Sequence, residues 1–258
     1  TKALKPGSTV PVEFRLNREK SEPVTFQGVE FKQEQSSTSG SVRVIYGTKP
    51  MDFSVPFFRT IEVEHATTVP IAYLIPPQWT DLISRLERHH VELERTMAPV
   101  SGNFEVDRFQ NVSWKAEPFE GRHALTYTVS KQMEERTFVA GSVLVRLNQR
   151  SNRVIMGLLE PLSTDSFVAW GFLDPIFEQK EYGEAYVVEA LAEEMLKKNP
   201  ELEKEFQQKL KSDPKFAADP DARLQFFYER SPYWDHYKNA YPVARITDES
   251  LYQRIPVR

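Results

Sequence analysis

The sequence predicts an α+β fold, with antiparallel β structure in its N-terminal and central parts and a helical cluster after them. Short runs near the N-terminus alternate apolar and polar residues, as half-buried strands do. Later segments carry apolar residues at helical spacing. We therefore predict a β-rich segment at 1–68, a mixed strand-helix-β region at 69–161, and a helical C-terminal region at 162–258 packed on it.

In the first region, the alternation is clearest in two runs, Val10-Val12-Phe14 and Val42-Val44-Tyr46. The polar pieces QSSTSGS and GTKP lie between such runs and predict turns. The central region opens with the apolar strand TVPIAYLIPP. A helix follows, with one apolar stripe formed by Trp79, Leu82, Ile83 and Leu86. The remainder of this region predicts strands at HALTYTV, RTFVAGSVLVRL and RVIMGLLEP, with a turn at NQRSN.

The C-terminal region begins with the helix EAYVVEALAEEMLKK. We expect one face of it to be formed by Val187, Val188, Leu191, Met195 and Leu196. Further helices should begin where a polar capping residue precedes a proline, since proline fits the first helical position. These pairs are Asn199-Pro200, Asp213-Pro214, Asp219-Pro220 and Ser231-Pro232.

The composition limits the classes of function. With 258 residues, 40% of them hydrophobic and 27% charged, the chain has the usual make-up of a globular protein. A net charge of −4 does not favour nucleic acid as a partner, and no apolar run approaches the ~18 residues of a membrane span. Cysteine does not occur, which excludes disulfides, thiolate zinc ligands and a cysteine nucleophile. The chain also begins without Met or an apolar signal core, so we expect a processed product or a piece of a longer protein.

His89 and Glu92 have the His-x-x-Glu spacing with which some zinc enzymes supply two metal ligands. A catalytic zinc ion usually has three protein ligands, and the candidates for the third are His123 and His236. However, the helical stripe should end at His89 and His90, and VELER alternates like a strand, which would turn Glu92 away. We interpret the pair as the end of a helix and predict no metal ligands.

Other reactive motifs are missing from the sequence. There is no G-x-S-x-G elbow, Gly141-Ser142 falls within a predicted strand, and no phosphate-binding glycine loop occurs. Adjacent carboxylates such as Glu134-Glu135 favour a solvated surface. Trp114 and Trp234 could stack on sugars, so an independent peptide- or glycan-binding module is the alternative function. A self-contained hydrolase using His89 and Glu92 is the third hypothesis.

Several segments resemble the region that follows the catalytic domain in a bacterial branch of the zinc metallocarboxypeptidases, the carboxypeptidase A-like family. The resemblance covers about residue 30 onward and is strongest over 70–245. His90 stands where the family pattern has glycine in a His-Gly pair. The family's own zinc motif has a context like His-Ala-Arg-Glu, which does not occur here. The segments are TVPIAYLIPPQWTDLISRLERHHVELER, LLEPLSTDSFVAWGFLDPIFEQKEYGEAYVVEALAEEML, DPKFAADPDARLQFFYERSPYWD and NAYPVAR.

The resemblance implies an accessory C-terminal region that supports or covers a catalytic domain, without catalytic residues or a cofactor of its own. Zinc is expected in the parent enzyme, the missing catalytic domain of the same polypeptide is the expected partner, and a periplasmic or secreted location is implied. We expect segment 164–182 to face that partner through Trp170, Phe172, Phe177 and Tyr182, with burial in the local core as the alternative. Without its partner, the chain should either expose an apolar patch here or cover it by self-association as a homodimer.

Overall fold

The computed structural model describes residues 4–258 and confirms the α+β class, with antiparallel strands and helices concentrated towards the C-terminal end. It contains two compact units. One, the ribbon unit, is Ser8–Thr68, and the other, the main unit, is Val69–Arg258 together with the described residues before Ser8. Among the described residues, no helix has the length and apolar character needed to cross a membrane.

The ribbon unit is built from four strands, β1 (Thr9–Leu16), β2 (Glu22–Gln35), β3 (Val42–Phe57) and β4 (Ile61–Thr68). Strand β2 pairs with β3, and β1 pairs with β4, both antiparallel. The unit therefore consists of two successive two-stranded ribbons, with the β2–β3 pair nested between β1 and β4 in the sequence. At the tip, the Ser36 hydroxyl accepts the backbone N–H groups of Thr38 and Ser39, and Gly40 adopts a left-handed conformation with φ of 70°. The alternating runs of the first region therefore form strands as predicted. The turn predicted at GTKP is wrong, because these residues lie within β3, next to a shift in its register with β2.

The main unit contains one antiparallel sheet in the order β6-β9-β5-β10-β7-β8. Its core includes fully buried Leu74, Phe104 and Ile246. The strand β10 comes from the C-terminal region and lies between β5 and β7, so that region is not only helical. The strands are β5 (Ala72–Ile75), β6 (Glu94–Arg95), β7 (Val100–Phe119), β8 (Arg122–Phe138), β9 (Val143–Arg146) and β10 (Ala244–Ile246).

The helices are concentrated after residue 150, with α1 in the centre of the chain. The stripe predicted on α1 is confirmed, since Leu82, Ile83 and Leu86 are buried. The helices are α1 (Thr80–Arg88), α2 (Asn152–Leu159), α3 (Ala185–Lys198), α4 (Pro200–Ser212), α5 (Pro214–Ala218), α6 (Pro220–Tyr228) and α7 (Glu249–Gln253), with a 3-10 helix at Asp174–Phe177.

Two of the strand predictions are wrong. The run RTFVAGSVLVRL is not continuous, because Gly141 takes a φ of 86° and the Ser142 hydroxyl donates to the Val139 carbonyl, which makes a turn between β8 and β9. The run RVIMGLLEP forms α2 instead of a strand. The Asn152 side chain accepts the N–H of Gln149 and donates to the Leu147 carbonyl, which holds the chain in a turn where the helix starts.

Helix starts in the C-terminal region follow the predicted capping pairs in three of four cases. The side chains of Asn199, Asp213 and Asp219 accept backbone N–H groups in the first turns of α4, α5 and α6. Ser231 does not begin a helix, since its hydroxyl donates back to the Tyr228 carbonyl within a turn. On α3, Val187 is 48% exposed although it was predicted on the buried face. These helices enclose an aromatic core that includes Phe206, Phe216, Phe226 and Phe227.

Candidate functional site

The helix α1 ends as the sequence predicts. The N–H of His89 donates to the carbonyls of Arg85 and Leu86, and His90 takes a left-handed φ of 55°. Few residues other than glycine adopt that conformation, which explains why a glycine pattern fits this position. His89 and His90 are both exposed and belong to the cap of a helix.

Glu92 lies beyond this cap, with an exposed side chain and a backbone N–H that donates to the Gln149 side chain. The ring of His123 belongs to the β7–β8 hairpin, where its Nδ1 lies 2.8 Å from the Lys115 carbonyl oxygen. Within residues 4–258, no group of three or more His, Cys, Asp or Glu side chains is arranged to hold a metal ion. The described residues therefore do not fit the zinc centre that the parent family implies.

The four aromatic residues predicted to face a partner lie in different environments. Phe177 is 6% exposed and packs edge-on against Phe109, with ring centres 5.0 Å apart, so it belongs to the local core. Phe172 is half-buried against Phe167. Trp170 and Tyr182 are exposed by 39% and 78%. Two of the four side chains are thus exposed.

Trp170 is held in place although it is exposed. Its indole N–H donates to Asp165 over 3.3 Å, and the guanidinium of Arg122, at the start of β8, lies 4.2 Å from the ring centre. A guanidinium at that distance is attracted to the electron-rich ring face. Another arginine, Arg85 of α1, lies 5.4 Å from the centre of the Phe172 ring. This part of the surface is therefore aromatic, with two arginines against its rings.

The two tryptophans considered for sugar stacking have protein partners. Trp114 is 41% exposed and packs edge-on against Phe177, with ring centres 6.0 Å apart. Trp234 is half-buried and packs edge-on against Tyr228 at 5.7 Å. Each of these two rings is therefore held by one aromatic neighbour.

A buried ionic network connects β10 to the rest of the main unit. Arg245 of β10 is 1% exposed, and its guanidinium donates to both carboxylate oxygens of Glu160, at 2.9 and 2.8 Å. Glu160 follows α2 and is 2% exposed, and it also accepts the hydroxyl of Tyr73 from β5. Arg245 further pairs with Glu105 of β7 at 2.8 Å. Three strands and a helix are joined by these contacts.

A second carboxylate extends the network towards the surface. Asp107 of β7 is 1% exposed and accepts the Lys131 ammonium at 2.8 Å, while the same ammonium lies 3.7 Å from Glu160. Tyr241 lies beside them, with its backbone N–H donating to the Asp107 carbonyl and its hydroxyl donating to the Leu159 carbonyl. The network therefore fixes the segment that precedes β10 as well as the strand.

The pKa values in the network are shifted in directions that follow from burial. Burial raises the pKa of Glu160, although Arg245 and Lys131 oppose that shift. Burial also raises the pKa of Tyr73 well above its usual value, and the charge of Glu160 adds to the effect. For Arg245, burial alone would lower the pKa, but the attraction of the surrounding acidic groups, Glu160 foremost, raises it. All three groups are buried, the charges of Glu160 and Arg245 compensate each other, and Tyr73 stays neutral.

A smaller ion-pair cluster is formed by residues of strands β7 and β8. Glu134 accepts Arg108 at 2.6 Å and Arg136 at 3.0 Å, and although burial opposes it, these two arginines hold its pKa below the usual value. Glu134 was predicted to lie on a solvated surface, but it is half-buried and paired with both arginines. Glu134 lies on β8 opposite Phe104 of β7. Of the two arginines, Arg108 belongs to β7 and Arg136 to β8.

Next to this cluster is an apolar groove of about 280 Å³ in the main unit. Its walls come from the start of α1, the end of β8 and the segment before β10, with Trp79, Phe138, Val139 and Tyr237 among them. Arg136 lines the groove, but its guanidinium is already bound to Glu134 and to the Tyr241 carbonyl. The groove could accept an apolar side chain, and it has no free charged group to orient a polar ligand.

Sequence reasoning did not find the ionic network. Its members lie at positions 73, 107, 131, 160 and 245, too far apart for any spacing rule to connect them. The only local signal was Arg245 within NAYPVAR, a charged residue in an otherwise apolar run.

About half of the chain is a carboxypeptidase-related region. Two fungal proteins called carboxypeptidase 2, from Trichophyton equinum and Trichophyton rubrum, are 33% identical to it over 140 residues. That match covers 50% of this chain and 26% of each relative. A protein called probable carboxypeptidase 2 from Arthroderma benhamiae is 33% identical over 118 residues, 44% of this chain and 22% of its own length.

The chain thus spans about a quarter of the length of the curated relatives it matches. No family model matches the chain. A search of the solved structures also gave no significant match.

Proposed function

We propose that this chain is the accessory C-terminal region of a bacterial zinc metallocarboxypeptidase, and that it supports or covers the catalytic domain without contributing to the zinc site. The observation that carries the proposal is the 33% identity to carboxypeptidase 2 proteins over half of this chain and only 26% of theirs. Most of the length of such an enzyme lies outside the shared region, and that remainder has room for a catalytic domain.

The chemistry of the main unit favours a structural role, without catalysis. A reaction centre needs ionisable groups that are accessible to substrate, whereas Glu160, Asp107 and Arg245 are each at most 2% exposed. Glu160 is paired with Arg245, and Asp107 is paired with Lys131. Buried and mutually satisfied charges fix the relative positions of the elements that carry them. The network therefore suits a rigid domain against which other parts of a protein pack.

The exposed aromatic surface supports the choice of partner. We propose that the partner contacts Trp170, Phe172 and Tyr182. Phe177 is part of the core beneath this surface and does not contact the partner directly. Tryptophan, tyrosine and arginine are enriched among the residues that dominate binding energy at interfaces, and Trp170 lies against Arg122 on this surface. The partner in this proposal is the catalytic domain of the same polypeptide, and the periplasm or the exterior of the cell is its proposed location.

The proposal is tested first on this chain alone. The purified protein is incubated with excess zinc and dialysed, its metal content is measured, and its release of C-terminal amino acids from peptides is assayed. We expect far less than one equivalent of zinc and no release of amino acids. His89→Ala is the matched variant and should leave the zinc content unchanged. One bound zinc that His89→Ala removes, or a peptidase activity that a chelator abolishes, would contradict the proposal.

A further inference from the structure

In the ribbon unit, much of the surface of strands β2 and β3 is exposed to solvent. Strands β2 and β3 pair with each other over 13 positions, and in the described residues neither pairs with a third strand. At about 3.3 Å per residue, the 14 residues of β2 span roughly 45 Å. A two-stranded ribbon of this kind is only marginally stable by itself in water, and stability requires that one of its faces is covered.

One face of the ribbon is mainly apolar. Phe26 lies opposite Phe53 and Phe31 lies opposite Tyr46, and the rings of Phe31 and Phe53 are 5.8 Å apart on the same side. Aliphatic pairs such as Val24 opposite Val55 continue this face. We call this side the aromatic face. No charged residue occupies its described cross-strand positions from Val24–Val55 to Gln35–Val42.

The opposite face is polar. It carries the cross-strand pairs Gln27–Asp52 and Glu34–Arg43, and the second of these is an ion pair. Ile45 is an apolar residue on this polar side. The difference between the two faces follows the period of two that governs side chains on a strand, and such a pattern is typical of a sheet with one buried and one solvated face.

The aromatic face is nevertheless exposed. The exposed fractions are 60% for Phe26, 71% for Tyr46 and 61% for Val42. With 150–250 Å² for each aromatic side chain, the exposed apolar area of this face is roughly 700 Å². Monomeric proteins seldom expose patches larger than about 300–600 Å², so this face is expected to be buried against something.

We propose that the aromatic face binds the aromatic face of a second copy of this chain. The area of roughly 700 Å² per copy is close to the ~800 Å² per partner of a standard stable interface. A two-fold axis brings identical faces together. The paired positions from Val24–Val55 to Gln35–Val42 carry no charge, so no like-charge repulsion opposes the contact over that stretch. The face is only two residues wide but about 45 Å long, and another ribbon has this same shape. Two such ribbons pack as two β layers about 10 Å apart.

Gly28 gives the face a place to receive a side chain. A methyl group at Gly28 would lie 2.9 Å from the ring of Phe53, so only glycine leaves the ring in this position. The result is a shallow hollow bordered by Phe26, Phe31 and Tyr46. An aromatic side chain of the second copy can fill this hollow.

The experiment is sedimentation velocity of the whole chain over a range of micromolar concentrations. We expect a dimer that dissociates on dilution. The double variant Phe26→Ser/Tyr46→Ser should raise its dissociation constant at least about 30-fold, as expected when interface aromatic residues are lost. Ile45→Ser is the matched control, because it removes an apolar side chain from the polar face of the same ribbon, and it should leave the dimer intact.

A second measurement keeps the test decisive if the double variant disturbs the ribbon. The chain has no cysteine, so Met51→Cys introduces a single thiol on the aromatic face and Ile45→Cys introduces one on the polar face. A short bismaleimide should link two copies through Met51→Cys and not through Ile45→Cys. A chain that stays monomeric would overturn the proposal. So would a dimer that is unchanged by Phe26→Ser/Tyr46→Ser and that is not cross-linked through Met51→Cys.

Discussion

Arg245 should be among the most sensitive residues of the main unit. It is 1% exposed, and Arg245→Met keeps much of its volume while it removes the charge that faces Glu160 and Glu105. Solvent does not screen a carboxylate as buried as Glu160, and the neighbouring cation Lys131, 3.7 Å away, is itself 35% exposed. Removal of one partner from a buried ion pair costs about 3–5 kcal/mol, and we expect a value within this range.

The cause of that loss can be separated from simple misfolding by pH. Without Arg245, burial should raise the pKa of Glu160 further above its already raised value. Between the unfolded and folded pKa values the folded chain binds more protons, so its stability rises as pH falls through that window. The penalty of Arg245→Met should therefore be smaller at mildly acidic pH than at neutral pH. The double variant Arg245→Met/Glu160→Gln should also be more stable than Arg245→Met alone, because the uncompensated charge is gone.

The assay is urea unfolding followed by tryptophan fluorescence. All four tryptophans of the chain lie in the main unit and none lies within Ser8–Thr68, so the signal reports on the unit that contains Arg245. The reasoning would be refuted if Arg245→Met cost less than about 1 kcal/mol, the usual size of a point-mutation effect. A penalty independent of pH and unchanged by Glu160→Gln would also refute it.

Three further predictions concern the helix end and the smaller ion-pair cluster. Leu86→Ala should cost about 2–5 kcal/mol because Leu86 is fully buried, and His89→Ala should cost far less, so equal losses in thermal unfolding would contradict the assigned helix face. His90→Gly should stabilise the main unit by about 0.5–1 kcal/mol, because His90 has a left-handed φ of 55°, and a loss of stability in urea would contradict the cap. Glu134→Gln should cost about 1–3 kcal/mol at neutral pH. That difference should vanish as pH falls through the lowered pKa of Glu134, since its ion pairs stabilise only the ionised form, and a constant difference down to low pH would argue against them.

Local patterns predicted the elements in which neighbouring residues carry the information. The end of α1 followed from the stripe of Leu82, Ile83 and Leu86, and from the change of period after His90. The caps at Asn199, Asp213 and Asp219 were predictable because each is a polar residue directly before proline. In each case the physical cause acts within a few residues.

Other features depend on residues far apart in the chain. The run that forms α2 is apolar without clear alternation, and such a run cannot be assigned to strand or helix by period. Strand β10 is only three residues long, and it exists because Ala244 and Arg245 pair with β5 and β7. The network of Arg245, Glu160 and Tyr73 arises from the same long-range pairing. The burial of Phe177 within 164–182 was left open by the sequence, since an aromatic residue in irregular backbone has no period that indicates its side.

The central proposal is that this chain is the accessory region of a zinc carboxypeptidase, and its binding to the catalytic domain tests it most directly. The catalytic domain of the parent protein is produced separately, and this chain is titrated into it by calorimetry. The proposal predicts one-to-one binding, with zinc in the catalytic domain only. Trp170→Ala should weaken the binding, while Tyr233→Ala, which removes an aromatic side chain that is 70% exposed outside segment 164–182, should not. A catalytic domain that does not bind this chain, or a chain that is an active zinc peptidase by itself, would contradict it.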